Sequence, residues 1–169
     1  MIRTVFAYGS NLDERQMRER CPGAVFDARA TLHNHALVFG GYSARWDSAV
    51  ASLAFAPGTS VEGVLYRLTA DDLTRLDRFE GNPFAYERRQ KLVIDEHGRR
   101  RRVQVYVQRD ERLERWAPGD RYFRVIWKAY KRLGFEAGER LADYYGPDDD
   151  ALSMTLTMTQ PKTRLRTRS

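Results

Sequence analysis

Cysteine is nearly missing from this chain: Cys21 stands alone among 169 residues. One thiol cannot close an intramolecular disulfide and offers no metal-binding spacing, which fits a reducing, cytoplasmic setting. Histidine is scarce too. His33 and His35 could share a strand face, but no third ligand is positioned near them, so no metal site is expected. No apolar run approaches the ~20 residues that span a bilayer, and the N-terminus lacks the basic-then-apolar order of a signal peptide. Gly-x-Gly-x-x-Gly and a phosphate loop ending in Gly-Lys-Ser/Thr are also missing, which disfavours a nucleotide cofactor. Ser10 lies outside any Gly-x-Ser-x-Gly and has no obvious histidine partner, which argues against a serine hydrolase.

The composition is 42% hydrophobic, 31% charged and 12% aromatic, as in a soluble globular protein long enough for one domain with a full core. A net charge of +6 raises the question of nucleic acid. Lys162, Arg164, Arg166 and Arg168 carry four of those charges, leaving +2 for the rest of the chain. Arg99 to Arg102 follow His97-Gly98 between two alternating apolar stretches and read as a solvated hairpin end. With no recognition-helix, ribonucleoprotein or zinc-finger signature, nucleic acid is not the expected partner.

Residues 2–7 read as a short buried strand. Asp13 caps a helix over 14–20, with Gln16 as capping-box partner and Leu12 and Met17 as hydrophobic staple; Cys21-Pro22-Gly23 ends it. Residues 24–40 favour strand, with a break before Leu37 and a turn or close backbone approach at Gly40-Gly41. Residues 50–55 and 61–68, separated by Ala56-Pro57-Gly58-Thr59, have the arrangement of a hairpin. Thr69 and Asp72 make a second capping box, for a helix that runs to Glu80 and closes at Gly81. Strands follow over 86–95 and 101–108. The longest helix starts at Pro118-Gly119-Asp120, presents Tyr122, Phe123, Ile126, Trp127, Tyr130 and Leu133 on one broad face, and stops at Gly134. A short last helix is expected over 136–145, then a polar and basic tail over 148–169 that is mobile alone or ordered only against a partner. The sum is one domain over 1–147, an α+β fold on a mixed or antiparallel, barrel-like sheet.

Two places in this frame carry chemistry. Tyr8-Gly9-Ser10-Asn11 turns a strand into a helix: Gly9 permits a positive φ or a close approach, Asn11 tolerates the left-handed region, and Ser10 adds a hydroxyl. Such a turn either aims N–H groups at an anion near the positive end of a helix dipole, or is an ordinary connection. The second place is Glu80, spaced with Leu73 and Leu76 on the apolar face of its helix. Either the last turn frays and Glu80 reaches solvent, or burial and the helix C-terminus together raise its pKa. Asp77 stands one position off that stripe.

Tyr8-Gly9-Ser10-Asn11-Leu12, then Val61-Glu62-Gly63-Val64-Leu65-Tyr66, then Leu76-Asp77-Arg78-Phe79-Glu80-Gly81 and Tyr86, resemble the γ-glutamylcyclotransferase superfamily, which includes γ-glutamylamine cyclotransferases and AIG2-like proteins. The resemblance runs from residue 4 to about 135. It implies a small β-barrel with flanking helices and a cofactor-free intramolecular aminolysis, in which a substrate's α-amine attacks its own γ-carbonyl and releases 5-oxoproline and an amine or amino acid. It also implies Glu80 as acid and base, the backbone of Tyr8 to Leu12 as the holder of the γ-glutamyl carboxylate, and Tyr86 and Tyr122 as pocket lining. Arg45, Trp46 and Asp47 are candidates for the far border of the pocket. A non-catalytic small-ligand or peptide-binding module on the same fold is the alternative. Neither the leaving amine nor the oligomeric state is legible.

Overall fold

The computed structural model describes residues 1–109 and 116–135 in full, and 140–146 and 149–152 as backbone. Five strands close a barrel: β1 (Arg3–Ala7), β2 (Val25–Ser43), β3 (Ser48–Leu68), β4 (Tyr86–Asp95) and β5 (Arg100–Gln108). Their order is β1-β3-β2-β4-β5, with antiparallel neighbours throughout except at the seam, where Val5 of β1 meets Gln104 of β5 in parallel. Three helices flank it, α1 (Glu14–Arg20), α2 (Ala70–Glu80) and α3 (Asp120–Arg132), and a single 3-10 turn, Ser10–Leu12, joins β1 to α1. The α+β barrel with flanking helices is therefore what the chain forms.

Residues 56–59 do not reverse the chain as expected. β3 runs straight through them, and its two halves pair with successive parts of β2 instead of with each other. Between the pairs His33–Ser60 and His35–Phe55, those four residues face Asn34 alone, which makes a large bulge. Asn34 (φ 57) and Gly58 (φ 82) supply the positive φ angles, and Gly58 N–H donates to Asn34 Oδ1 at 3.2 Å. The Pro-Gly pair is thus absorbed as a bulge because β2 continues opposite it on both sides. The same bulge replaces the break expected before Leu37. Gly41 (φ 58) falls at a second irregularity, while the reversal itself comes at 44–47, where Trp46 N–H reaches Ser43 O and Asp47 takes φ 49.

The last helix is also corrected. Arg140–Gly146 is a strand, β6, paired antiparallel with Asp149–Leu152, β7. The aromatic pair Tyr144-Tyr145 suits a strand better than a helix. Residues 136–139 of the expected helix, and 148 and 153–169 of the expected tail, lie outside the described residues.

Thr69 and Asp72 form the full capping box of α2, and Gly81 closes that helix in the left-handed region with φ 63; such a cap is worth ~1 kcal/mol. At α1 Asp13 accepts from the N–H groups of Arg15 and Gln16, but Gln16 does not reach back to it. Its amide donates to Ser10 Oγ at 2.9 Å and Asn11 Oδ1 at 3.4 Å, so the residue expected to cap a helix supports the loop before it. On α3, Ile126, Ala129 and Tyr130 are buried, and the single proton of Tyr130 Oη is shared between the carbonyls of Tyr8 and Glu62, each at 2.9 Å. That pins the helix to the point where β1 becomes the loop.

Candidate active site

The loop is set by its backbone. The 3-10 turn spends the N–H of Leu12 on Gly9 O (3.0 Å) and that of Asp13 on Ser10 O (3.1 Å), which leaves the N–H groups of Ser10 and Asn11 as the orphan donors of its first turn. Gly9 has φ −107, so it does not take the positive φ the sequence allowed; it serves a close approach. A Cβ there would sit 3.2 Å from Ala51 Cβ and 3.5 Å from Tyr122 Oη. Asn11 is not left-handed either. Nor is the N-terminus of α1 open to an anion, since the Asp13 carboxylate already occupies it. The anion-cradle reading narrows to the N–H groups of the 3-10 turn itself.

Glu80 lies directly against this loop. Its side chain is 13% exposed, so the last turn of α2 does not fray into solvent. Asn11 Nδ2 donates to Glu80 Oε1 at 2.8 Å, Arg20 Nη1 reaches the same oxygen at 3.2 Å, and Arg20 Nη1 donates to Asn11 Oδ1 at 2.8 Å. Both contacts fall on Oε1, and Oε2 has no hydrogen bond to the described residues. Burial raises the Glu80 pKa above the ordinary carboxylate value; Arg20, the Asn11 amide and Arg45 pull it part of the way back. One turn earlier, Asp77 accepts from Tyr106 Oη at 2.6 Å and from Arg88 at 2.8 Å, tying α2 to β5 and β4.

Tyr122 and Tyr86 hold Ala51 through the two peptide groups that flank it. Ala51 N–H donates to Tyr122 Oη at 3.0 Å, and Tyr86 Oη donates to Ala51 O at 2.7 Å. Tyr8 Oη donates to Tyr106 O at 2.5 Å. Burial pushes all three phenols above their ordinary pKa, so they act as neutral hydrogen-bonding groups.

Tyr8, Gly9, Ser10, Asn11, Glu80, Tyr86 and Tyr122 together line an inner cavity of about 40 Å³. Leu12 does not: its side chain is in the core at 2% exposure and its N–H is spent within the turn. Ser10, Glu80, Tyr86 and Tyr122 also border a wider outer chamber of about 280 Å³, whose wall includes Arg20, Arg45, Trp46 and Gln108. Asp47 stays off that wall and accepts from Tyr42 Oη at 2.7 Å. Arg20 and Gln108 had no signal in the sequence. Each carries one buried atom, Arg20 Nε and Gln108 Oε1, without a partner among the described residues.

The remaining candidates are placed elsewhere. His33 Nδ1 is 2.8 Å from Ser60 Oγ, and His35 Nε2 is 3.1 Å from Lys91 Nζ. Cys21 is buried with its Sγ donating to Asp72 O; burial and then the nearby Asp72 push its thiol up to about 11. Two of the four hairpin arginines are engaged, Arg99 with Asp95 and Arg101 with Asp95 and Asp27. No helix among the described residues is long and apolar enough to cross a membrane.

A closed five-stranded barrel with a buried glutamate set against a Tyr-Gly-Ser-Asn turn defines a cyclotransferase-like class of protein. The profile of the family described as "Gamma-glutamyl cyclotransferase, AIG2-like" matches residues 5–125, and the chain belongs to that family. Gamma-glutamylcyclotransferase of Mus musculus is 39% identical over 80 residues, which are 45% of this chain and 43% of that protein. That of Homo sapiens is 35% identical over the same shares. The match therefore spans less than half the length of these curated relatives. Among solved structures, a gamma-glutamyl cyclotransferase superposes with TM-score 0.75 at 27% identity, covering 79% of this chain and 81% of that one. A human protein solved as uncharacterized gives 0.74 at 28%, covering 79% and 80%.

Proposed function

We propose that this chain is a γ-glutamyl cyclotransferase, converting a γ-glutamyl amine or peptide to 5-oxoproline and the free amine, with residues 1–147 as the catalytic domain. One observation carries the reading: a largely buried, pKa-raised Glu80 in hydrogen-bonding contact with the Tyr8–Asn11 loop, on the wall shared by two chambers. In this reading the γ-glutamyl part is held at the inner cavity, with its α-carboxylate or the developing oxyanion facing the N–H groups of Ser10 and Asn11. The leaving group fits the outer chamber.

In the step itself, the substrate's α-nitrogen forms a bond to the γ-carbonyl carbon and gives a proton to Glu80 Oε2. The tetrahedral intermediate collapses, the bond from carbon to the leaving nitrogen breaks, and Glu80 returns the proton to that nitrogen. An α-amine titrates near 7.7–8.0 and an ordinary Glu near 4.3, a mismatch of roughly 3.5 units or about 5 kcal/mol. Raising Glu80 narrows it, which lets one group serve as base and then as acid. Ring closure is intramolecular, so holding the chain curled supplies proximity, and the route as written calls on no metal or cofactor. The single buried Cys21 suits a reducing, cytoplasmic setting.

The test is a mass-spectrometric screen of γ-glutamyl amines and peptides for 5-oxoproline, with Glu80→Gln as control. Release that depends on Glu80 supports the reading. Saturable binding without turnover across the panel would instead make the chain a binding module.

A further inference from the structure

A guanidinium group can only donate hydrogen bonds, and Arg20 therefore sets the direction of the bonds that lead from it to the inner cavity. Its Nη1 lies 2.8 Å from Asn11, so the Asn11 atom on that side is the carbonyl oxygen Oδ1, and Nδ2 is left to donate to Glu80 Oε1 at 2.8 Å. Gln16 approaches the same Oδ1 at 3.4 Å, so its facing atom is in turn the amide nitrogen, Nε2. The second hydrogen of Nε2 goes to Ser10 Oγ at 2.9 Å. An amide nitrogen accepts nothing, so the Ser10 hydroxyl accepts from Gln16 and turns its own proton elsewhere. Gln16 and Ser10 are both buried, at 9% exposure each. On its other side Ser10 meets the Tyr122 phenol, whose pKa burial raises and hydrogen bonds with the Ala51 N–H and Ser10 draw part of the way back. Both Ser10 and Tyr122 line the inner cavity, so the serine proton is turned to the cavity side.

We propose that Gln16 is a positioning residue that fixes the Ser10 hydroxyl as a hydrogen-bond donor at the inner cavity, where it joins the N–H groups of Ser10 and Asn11 against the carboxylate or developing oxyanion of a γ-glutamyl substrate. This rests on the cyclotransferase reading and adds to it a residue outside the Tyr8–Leu12 loop. A serine hydroxyl with no donor behind it rotates freely and has to be reoriented when an anion arrives. One that already accepts from Gln16 is set in advance, which is how a fixed dipole stabilises charge at least cost. Asn11 depends on Gln16 far less, because Arg20 holds its oxygen by the shorter and charge-assisted bond. Gln16 therefore acts through Ser10.

Ser10→Ala, Gln16→Met and the double variant form a cycle, read as kcat and KM for 5-oxoproline release from the best substrate of the γ-glutamyl panel. Ser10→Ala is expected to lower kcat/KM by about ten- to a hundredfold, the range of a hydrogen bond to a charged group. Gln16→Met is expected to lower it by about three- to tenfold, on the same parameter that Ser10→Ala changes. In the Ser10→Ala background the Gln16 change is expected to add less than about twofold, the sign of two residues acting as one. Gln16→Glu keeps the shape of the side chain and serves if Gln16→Met melts early: its carboxylate accepts from Ser10, turns the proton towards α1, and should show the same non-additivity at a pH where kcat/KM is level. Fully additive losses, or a Gln16→Met protein that is less stable to heat yet turns over like the wild type, would overturn the positioning role while the cyclotransferase reading stands. No 5-oxoproline from the wild-type chain with any member of the panel overturns both.

Discussion

Asn11 Nδ2 and Glu80 Oε1 are joined by a 2.8 Å hydrogen bond across 69 residues of sequence. The bond links the turn after β1 to the last turn of α2, and Arg20 at the end of α1 completes a triangle by touching both partners. The loop and the Glu80 carboxylate are thus held in one hydrogen-bonded unit. Preorganisation of this kind is what a reaction with strict geometry requires.

Glu80→Gln tests the centre of that unit. The carboxamide keeps an oxygen to accept from Asn11 and relieves the cost of burying a carboxylate, so the fold is expected to persist, by circular dichroism and thermal melting. On the proposed mechanism the carboxamide cannot carry the proton, and turnover is expected to fall by about 10²–10⁴-fold. Unchanged 5-oxoproline release in a folded Glu80→Gln protein would remove Glu80 from the mechanism.

The two halves of this unit were legible to different degrees. The caps of α2, the closing Gly81 and the apolar stripe through Leu76 place Glu80 at the apolar end of that helix from local rules, but leave open whether it is buried or frays into solvent. Arg20 was invisible, because it sits in the last turn of α1 as any basic residue would and its partner is 60 residues away. Gln16 was assigned to a helix cap by its spacing, and only the tertiary position of Ser10 and Asn11 redirects it. The β2–β3 bulge escapes local rules for a related reason. Pro57-Gly58 has turn chemistry, and nothing local reveals that β2 lies opposite both of its flanks.

Arg20→Gln separates the positioning of Glu80 from its charge. The Arg20 cation favours the ionised carboxylate and so lowers the raised Glu80 pKa. Without it that pKa moves further up, and the acidic limb of kcat/KM against pH is expected to shift to higher pH. The substrate amine's own ionisation is common to both proteins, so the difference reports Glu80. A limb that stays in place, or moves to lower pH, would contradict the pairing.

Gly63→Ala probes why the Val-Glu-Gly-Val stretch needs a glycine. A Cβ at this position would collide with the carbonyl oxygen of Ala7 and lie 2.6 Å from the Phe6 ring. Backbone cannot yield there without parting β1 from β3, which are paired at Ala7–Val64. A loss of about 2–3 kcal/mol is expected in urea unfolding, in the range of overpacked cores. Gly9→Ala makes the milder contact with Ala51 Cβ at 3.2 Å and is expected to cost more in turnover than in stability.

Asp95→Asn addresses the hairpin that the sequence marked as merely basic. The Asp95 carboxylate is sealed from solvent; its Oδ1 accepts from the N–H groups of His97 and Arg99 at 3.0 Å each, and its Oδ2 from Arg99 Nε at 2.9 Å and Arg101 Nη1 at 3.3 Å. Burial alone would raise its pKa, but the Arg99 N–H and guanidinium and the His97 N–H outweigh it and hold it at about 2, against an ordinary 3.8. A depressed carboxylate stabilises the folded state above its unfolded pKa and ceases to do so as pH falls through its folded one. Replacing the carboxylate is therefore expected to cost about 2 kcal/mol at pH 7, the scale of charge-assisted hydrogen bonds. The gap between the two proteins should close from about pH 4 down to about pH 2. Parallel stability curves over that window would show that the anion at Asp95 does not hold the hairpin together.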